Sequence, residues 1–179
     1  MVYVLLGNGF EEIEAISIID ILRRGGVETE TVSVCDRTVS GAHGIPVLAD
    51  RLIGEVRAEA AEMVVLPGGM GGVRAIERCA AALSLIRAVW DAAGWVAAIC
   101  AGPTALAQLG ITDGKKVICY PGLEDQMGSA RVQRGEKTVT DGRLITGEAP
   151  GAAMAFGLRL VKTIQGEAEA HRVAASMVL

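Results

Sequence analysis

The sequence predicts an α/β fold, a parallel β-sheet covered on both faces by helices. Three observations carry this reading. Segments of strand length are apolar from end to end (VYVLL at 2–6, MVVL at 63–66 and VAAI at 96–99), as expected of strands buried on both faces. Stretches with helical spacing alternate with them, and such alternation builds a parallel sheet through right-handed crossovers. The composition is 51% hydrophobic but only 3% aromatic, so Ala, Val, Leu and Ile make the core, while 23 glycines imply many tight turns. At 179 residues the chain suits one domain, 1–179, with core enough to need no disulfide or metal.

The elements follow in order. After the strand at 2–6, Gly7-Asn8-Gly9 turns the chain into a helix with Ile13, Ile16, Ile19 and Leu22 at helical spacing, which stops at Gly25-Gly26. TETVSV at 29–34 alternates as a strand, and turn residues around His43-Gly44 predict a small hairpin within 38–50. MVVLPGG at 63–69 is a buried strand ending in a glycine loop, followed by helical pattern from about Val73 to Ala93. The strand at 96–99 then meets a sharp turn at Cys100. Short strands are expected near 116–119, 130–133, 137–140 and 143–146, then a helix from Pro150 with Met154, Leu158 and Val161 on one face. A polar helix from Glu167 ends the order.

Charge and cysteine usage exclude several classes. Lys+Arg of 17 against Asp+Glu of 21 leaves a net charge of −4 with no basic run, which argues against nucleic acid as a partner. The uncharged stretch Ala92–Thr112 is long enough to span a bilayer, but Gly94, Gly102, Pro103 and Gly110 interrupt it, so no membrane span is expected. The opening MVYVLLGNGFEEIEA lacks a basic leader, so the expected location is cytoplasmic. Cys35, Cys79, Cys100 and Cys119 are scattered without C-x-x-C spacing or a histidine pair; free thiols and no metal site are expected. Gly7-Asn8-Gly9 is half a dinucleotide fingerprint, but Glu12 stands where its third glycine belongs, and a carboxylate there repels a pyrophosphate. No cofactor is expected.

Chemistry is sought where open α/β sheets place it, beyond the carboxyl ends of the strands. Three loops qualify: Gly7–Glu14, Pro67–Gly72 and Cys100–Thr104. In AICAG at 98–102 small residues flank a cysteine between strand and helix, the arrangement of the G-x-S-x-G nucleophile elbow with a thiol in place of the hydroxyl. A thiol at a helix N-terminus is expected to have a lowered pKa. Backbone N–H groups of Ala101 and Gly69 are the candidate donors to an oxyanion. Glu14, four residues into a helix whose inward positions are isoleucines, is the candidate partner: buried, it keeps its proton and offers it to the thiolate. Glu11 and Glu12 are expected simply to complement the helix dipole.

The motifs GFEEIEA, VVLPGG, AAICAGPTALAQLG and APGAAMAFGLRLV resemble, in order and spacing, the DJ-one branch of the ThiJ/PfpI superfamily over essentially the whole chain. The resemblance implies a flavodoxin-like three-layer sandwich with a mostly parallel central sheet, usually a homodimer. It implies that Cys100 is the reactive cysteine, Glu14 its protonated partner, and Gly69 and Ala101 the oxyanion-hole donors. Two departures stand out. Many relatives carry a histidine before the proline after the elbow, where this chain reads Cys119-Tyr120-Pro121, so a Cys-His dyad is not expected there; histidine catalysis would need His43 in the hairpin, which otherwise reads as a surface turn residue. Close relatives have an arginine where this chain has Glu148, before Ala149-Pro150-Gly151, which suggests reversed charge at the pocket rim. Tyr120 and Pro150 join His43 as candidate pocket residues. The function implied is cofactor-independent chemistry on a small aldehyde or dicarbonyl substrate, as in a glyoxalase converting methylglyoxal to lactate, or a deglycase. The alternatives are an oxidative-stress sensor and chaperone acting through oxidation of Cys100, and a cysteine peptidase or amidase.

Overall fold

The structure is a computed structural model describing residues 1–179. Seven strands form the main sheet: β1 (Val2–Leu6), β2 (Thr29–Ser33), β5 (Arg51–Leu52), β6 (Met63–Leu66), β7 (Trp95–Ile99), β10 (Thr138–Asp141) and β11 (Leu144–Gly147). Their order is β10-β11-β7-β6-β1-β2-β5, and every pairing is parallel except β10 with β11. β1 and β6 are buried along their whole length, because helices cover both faces and leave no solvated side for polar residues. The expected flavodoxin-like, mostly parallel sandwich is the observed one.

The helices pack in two groups. α1 (Glu12–Arg24) lies against α5 (Ala153–Gln165), which lies against α6 (Glu167–Ser176); α2 (Met70–Arg78) contacts α3 (Ala80–Asp91) and α4 (Pro103–Gln108). A cluster of 45 buried residues joins sheet and helices. No helix is long and apolar enough to cross a membrane.

Small strands complete the structure. β3 (Thr38–Ser40) and β4 (Pro46–Leu48) form the predicted antiparallel hairpin, and β8 (Lys116–Val117) pairs with β9 (Arg131–Val132).

Three expectations change. The single helix over 73–93 is two helices, broken at Cys79, whose extended backbone (φ −93°, ψ 100°) ends α2 and starts α3. In α1 the stripe of isoleucines is split: Ile18, Ile19 and Ile21 are buried, whereas Ile13 and Ile16 are exposed, because the helix turns Glu12, Glu14 and Ala15 inward. In α5 the core face is Phe156, Gly157, Leu160 and Val161, with Met154 exposed. Periodicity locates a helix more reliably than it ranks two overlapping apolar stripes.

Candidate functional site

The three predicted loops meet at the carboxyl end of the sheet. The N–H of Glu11 donates to the carbonyl of Gly68 at 3.0 Å, and the N–H of Tyr120 donates to the carbonyl of Cys100 at 2.9 Å. Cys100 sits immediately after β7 and before α4, with φ of 63°. A left-handed backbone at a residue with a side chain costs on the order of 1–3 kcal/mol, and it is the mark of an elbow that holds its side chain out of both flanking elements.

Glu14 is fully buried one turn into α1. Its Oε2 accepts the Gly68 N–H at 2.6 Å, whereas its Oε1 has no hydrogen-bond partner. Burial raises this carboxyl to about 7, against the opposing influence of the neighbouring Cys100 thiol and the Gly68 N–H. With Oε2 committed as an acceptor, the proton belongs on Oε1, the oxygen with nothing else to bind it. Gly68 is what lets the two groups approach: a Cβ built there would lie 2.6 Å from Glu14 Oε2 and 2.9 Å from Cys100 Sγ.

The thiol departs from expectation. Burial, followed by the charge of Glu14 and its hydrogen bond, pushes the Cys100 thiol up; the N–H groups of Ala101 and Gly69 pull the other way but are outweighed. A helix N-terminus lowers a thiol pKa where solvent reaches it, and here the neighbour is a buried acid instead. Thiol and carboxyl therefore act as a pair in which each favours its protonated form, rather than as an independent thiolate. Gly69, at the start of α2 with φ of 84°, keeps its N–H aimed at the sulfur because a side chain there would strike the backbone of Gly9 to Glu11.

The acids before Glu14 do more than complement a dipole. Glu11 caps α1, its Oε2 accepting the Glu14 N–H at 2.7 Å and so fixing the backbone of Glu14. Glu12 is buried and reaches across to the hairpin: its Oε1 accepts the His43 N–H at 2.6 Å, and its Oε2 lies 2.9 Å from His43 Nδ1. Burial alone would raise Glu12, but these hydrogen bonds win and hold it at about 2, while the same contact raises His43. One oxygen or nitrogen from each of Glu11, Glu12 and His43 lies within 4.8 Å of the others. In Glu11 and Glu12 those carboxylates are already spent on backbone N–H groups and the imidazole.

A cavity of about 430 Å³ opens over Cys100. The structure brings together there all the candidates except Glu14, which lies beneath: Gly69, Cys100, Ala101, His43, Tyr120 and Pro150. The sequence reading missed Glu11, Met70, Pro121 and Leu123 in its walls. Only the GFEEIEA run hinted at Glu11; the others carry no chemical signature. Glu148 lines a neighbouring cavity with Cys119, Glu124 and Arg134 instead, so the expected charge reversal is not at the rim over Cys100. Cys119 is buried there, and burial, then the charge of Glu124, raises its thiol to about 11.

The sequence profile of the DJ-1/PfpI family matches residues 1–163. The chain belongs to the DJ-1/PfpI family. Among relatives, it is 33% identical over 178 residues to protein dj-1beta of Drosophila melanogaster, covering 98% of this chain and 95% of that one. The crystal structure of the same fly protein superimposes with a TM-score of 0.94, covering 99% and 97% of the two chains at 32% identity. The glutathione-independent glyoxalase DJR-1.2 of Caenorhabditis elegans is 31% identical over 157 residues, covering 87% and 83%. These likenesses place the chain in the DJ-1 branch of the DJ-1/PfpI family, with a DJ-1-type function.

Proposed function

We propose that the protein is a cofactor-independent cysteine enzyme that converts methylglyoxal to lactate. The observation that carries the proposal is the buried Glu14 carboxyl, one oxygen held by Gly68 N–H and the other free, beside Cys100 at the base of an open cavity. The name of the nematode relative, a glutathione-independent glyoxalase, supports the same reading.

In this mechanism Cys100 Sγ attacks the aldehyde carbon while its proton passes to Glu14. The carbonyl oxygen becomes the hemithioacetal oxygen, facing the N–H groups of Ala101 and Gly69. Glu14 gives the thiol proton to the hemithioacetal oxygen and, a base again, takes the proton from the aldehyde carbon and returns it to the neighbouring carbon through an enediol, while the hydroxyl proton passes to the ketone oxygen, leaving an acyl thioester on Cys100. Water cleaves the thioester, giving lactate and the free thiol. The elements of one water are added overall, and no external oxidant or reductant is used.

Exposed Ile13 and Ile16 of α1, with Ile45 and Leu48 of the hairpin, support a homodimer in which this apolar face is covered. The proposed location remains cytoplasmic.

The test is lactate formation from methylglyoxal by the purified protein and by its Cys100→Ser and Glu14→Gln variants. Turnover that disappears in both variants is the expected result. Wild-type protein that forms no lactate, or a Glu14→Gln variant with full activity, overturns the proposal.

A further inference from the structure

The cavity over Cys100 is far larger than the smallest ketoaldehyde requires. Its volume of about 430 Å³ lies within the roughly 300–1,000 Å³ that encloses much larger ligands, whereas methylglyoxal offers only a methyl group beyond its two carbonyls. Much of the wall is apolar. Met70, Tyr120, Pro121, Leu123 and Pro150 line it, and Met70 and Tyr120 are 40% and 47% exposed, apolar side chains facing open space beside the nucleophile.

The polar lining is already engaged. The Glu11 carboxylate accepts the Glu14 N–H, and the His43 ring is paired with the Glu12 carboxylate. No lysine or arginine lines the cavity. The arginine of the adjoining cavity, Arg134, lies 3.4 Å from Glu124. At the His43 end the imidazole is offset by its own partner Glu12, and Glu11 in the lining leaves no excess positive charge there to hold an anionic group. Apart from His43 Nε2 and the Tyr120 hydroxyl, what remains free is an apolar wall with one aromatic ring and one thioether, both of which favour an aromatic partner.

The geometry points to a substrate class: Cys100 serves neutral electrophiles bearing an aryl or bulky apolar substituent, with Tyr120 and Met70 as the residues that select it. For the proposed reaction, on which this substrate assignment rests, the class is the aryl-substituted 2-oxoaldehydes in preference to methylglyoxal.

Two measurements separate the selectivity from the proposed reaction. In the first, Cys100 displaces iodide from N-phenyl iodoacetamide, from iodoacetamide and from iodoacetate, forming a thioether and releasing iodide. Rates are followed by intact mass with a Cys100→Ser control and normalised to those of free glutathione. In the second, kcat/KM is compared for phenylglyoxal and methylglyoxal. The expected results are a normalised preference of about tenfold or more for the phenyl reagent over iodoacetamide, discrimination against iodoacetate, and a similar preference for phenylglyoxal. Tyr120→Ala should lower the aryl-to-alkyl ratio several-fold, and Tyr120→Phe should retain it. Equal normalised rates for the phenyl and plain amides, or a ratio unmoved in Tyr120→Ala, overturn the selectivity. Aryl preference in alkylation without turnover of either oxoaldehyde upholds the selectivity and removes the proposed reaction instead.

Discussion

The Gly68 N–H donates to Glu14 Oε2 at 2.6 Å, and this one bond leaves Oε1 as the oxygen of a buried carboxyl free to carry a proton. Oε2 is taken as an acceptor, Oε1 is orphaned, and Cys100 shares the same small volume around Gly68. Leaving a buried polar oxygen unpaired costs on the order of 1–3 kcal/mol, and a fold retains such an arrangement where the group has chemical work to do.

The pH dependence of turnover follows from that pair. Below the raised value of Glu14, about 7, both groups are protonated and no base is available for the thiol. The logarithm of kcat/KM should therefore rise with unit slope as pH increases towards 7, then level off. A profile flat from pH 5 to 8 would remove Glu14 as the base.

The same shift has a stability cost. Glu14 is raised from 4.5 to about 7 on folding, so between those values the native state holds more protons than the unfolded chain, and stability falls as pH rises through the window. The cost at pH 8 is about 3 kcal/mol, each unit of pKa being worth about 1.4 kcal/mol. Glu14→Gln, which cannot ionise, should be more stable than wild type in urea at pH 8 by up to that amount. The gain should vanish near pH 4. A variant destabilised at pH 8 contradicts the assignment.

Glu12 works in the opposite direction. Its carboxylate ties the hairpin to α1 through the backbone and ring of His43 and, at 3.5 Å, the N–H of Ile45. Glu12→Gln should cost roughly 1.5–3 kcal/mol at pH 7, the worth of hydrogen bonds to a buried charge, and should speed amide exchange in residues 41–45. Glu12 is depressed to about 2, so its contribution is present above about pH 4.5 and lost as pH falls towards 2. Wild type and variant should thus converge in acid.

Gly69→Ala tests the loop. A φ of 84° disfavours any side chain by on the order of 1–3 kcal/mol, and the added methyl also meets the backbone of Gly9 to Glu11. The urea midpoint should fall, and alkylation of Cys100 should slow as the loop shifts its N–H away. An alanine variant with unchanged midpoint and labelling rate would show that the loop yields freely.

Much of this was legible in the sequence because it depends on local pattern. Apolar runs at 2–6, 63–66 and 96–99, of strand length and bounded by turn residues, read as strands buried on both faces, and a cysteine set among small residues between strand and helix marks an elbow. Glu14 stood out because a carboxylate in an isoleucine-rich helix is either turned inward and used or simply complements the helix dipole, and the structure turns it inward.

Other features were decided only by packing across long sequence separations. The Glu12 contact to His43 spans 31 residues, and no local preference marks a glutamate for a hairpin that far away. Whether Ile13 or Glu14 faces inward depends on how α1 is rolled against α5, which a stripe of isoleucines leaves open. The direction of the Cys100 shift is likewise tertiary. A helix N-terminus is visible in the sequence and lowers a thiol pKa, but the burial that outweighs it exists only once β7, the Gly68 loop and Glu14 close around the sulfur. The sequence by itself determined the strands, the elbow and the acid beside it; the tertiary structure decided where the proton sits and which walls a substrate meets.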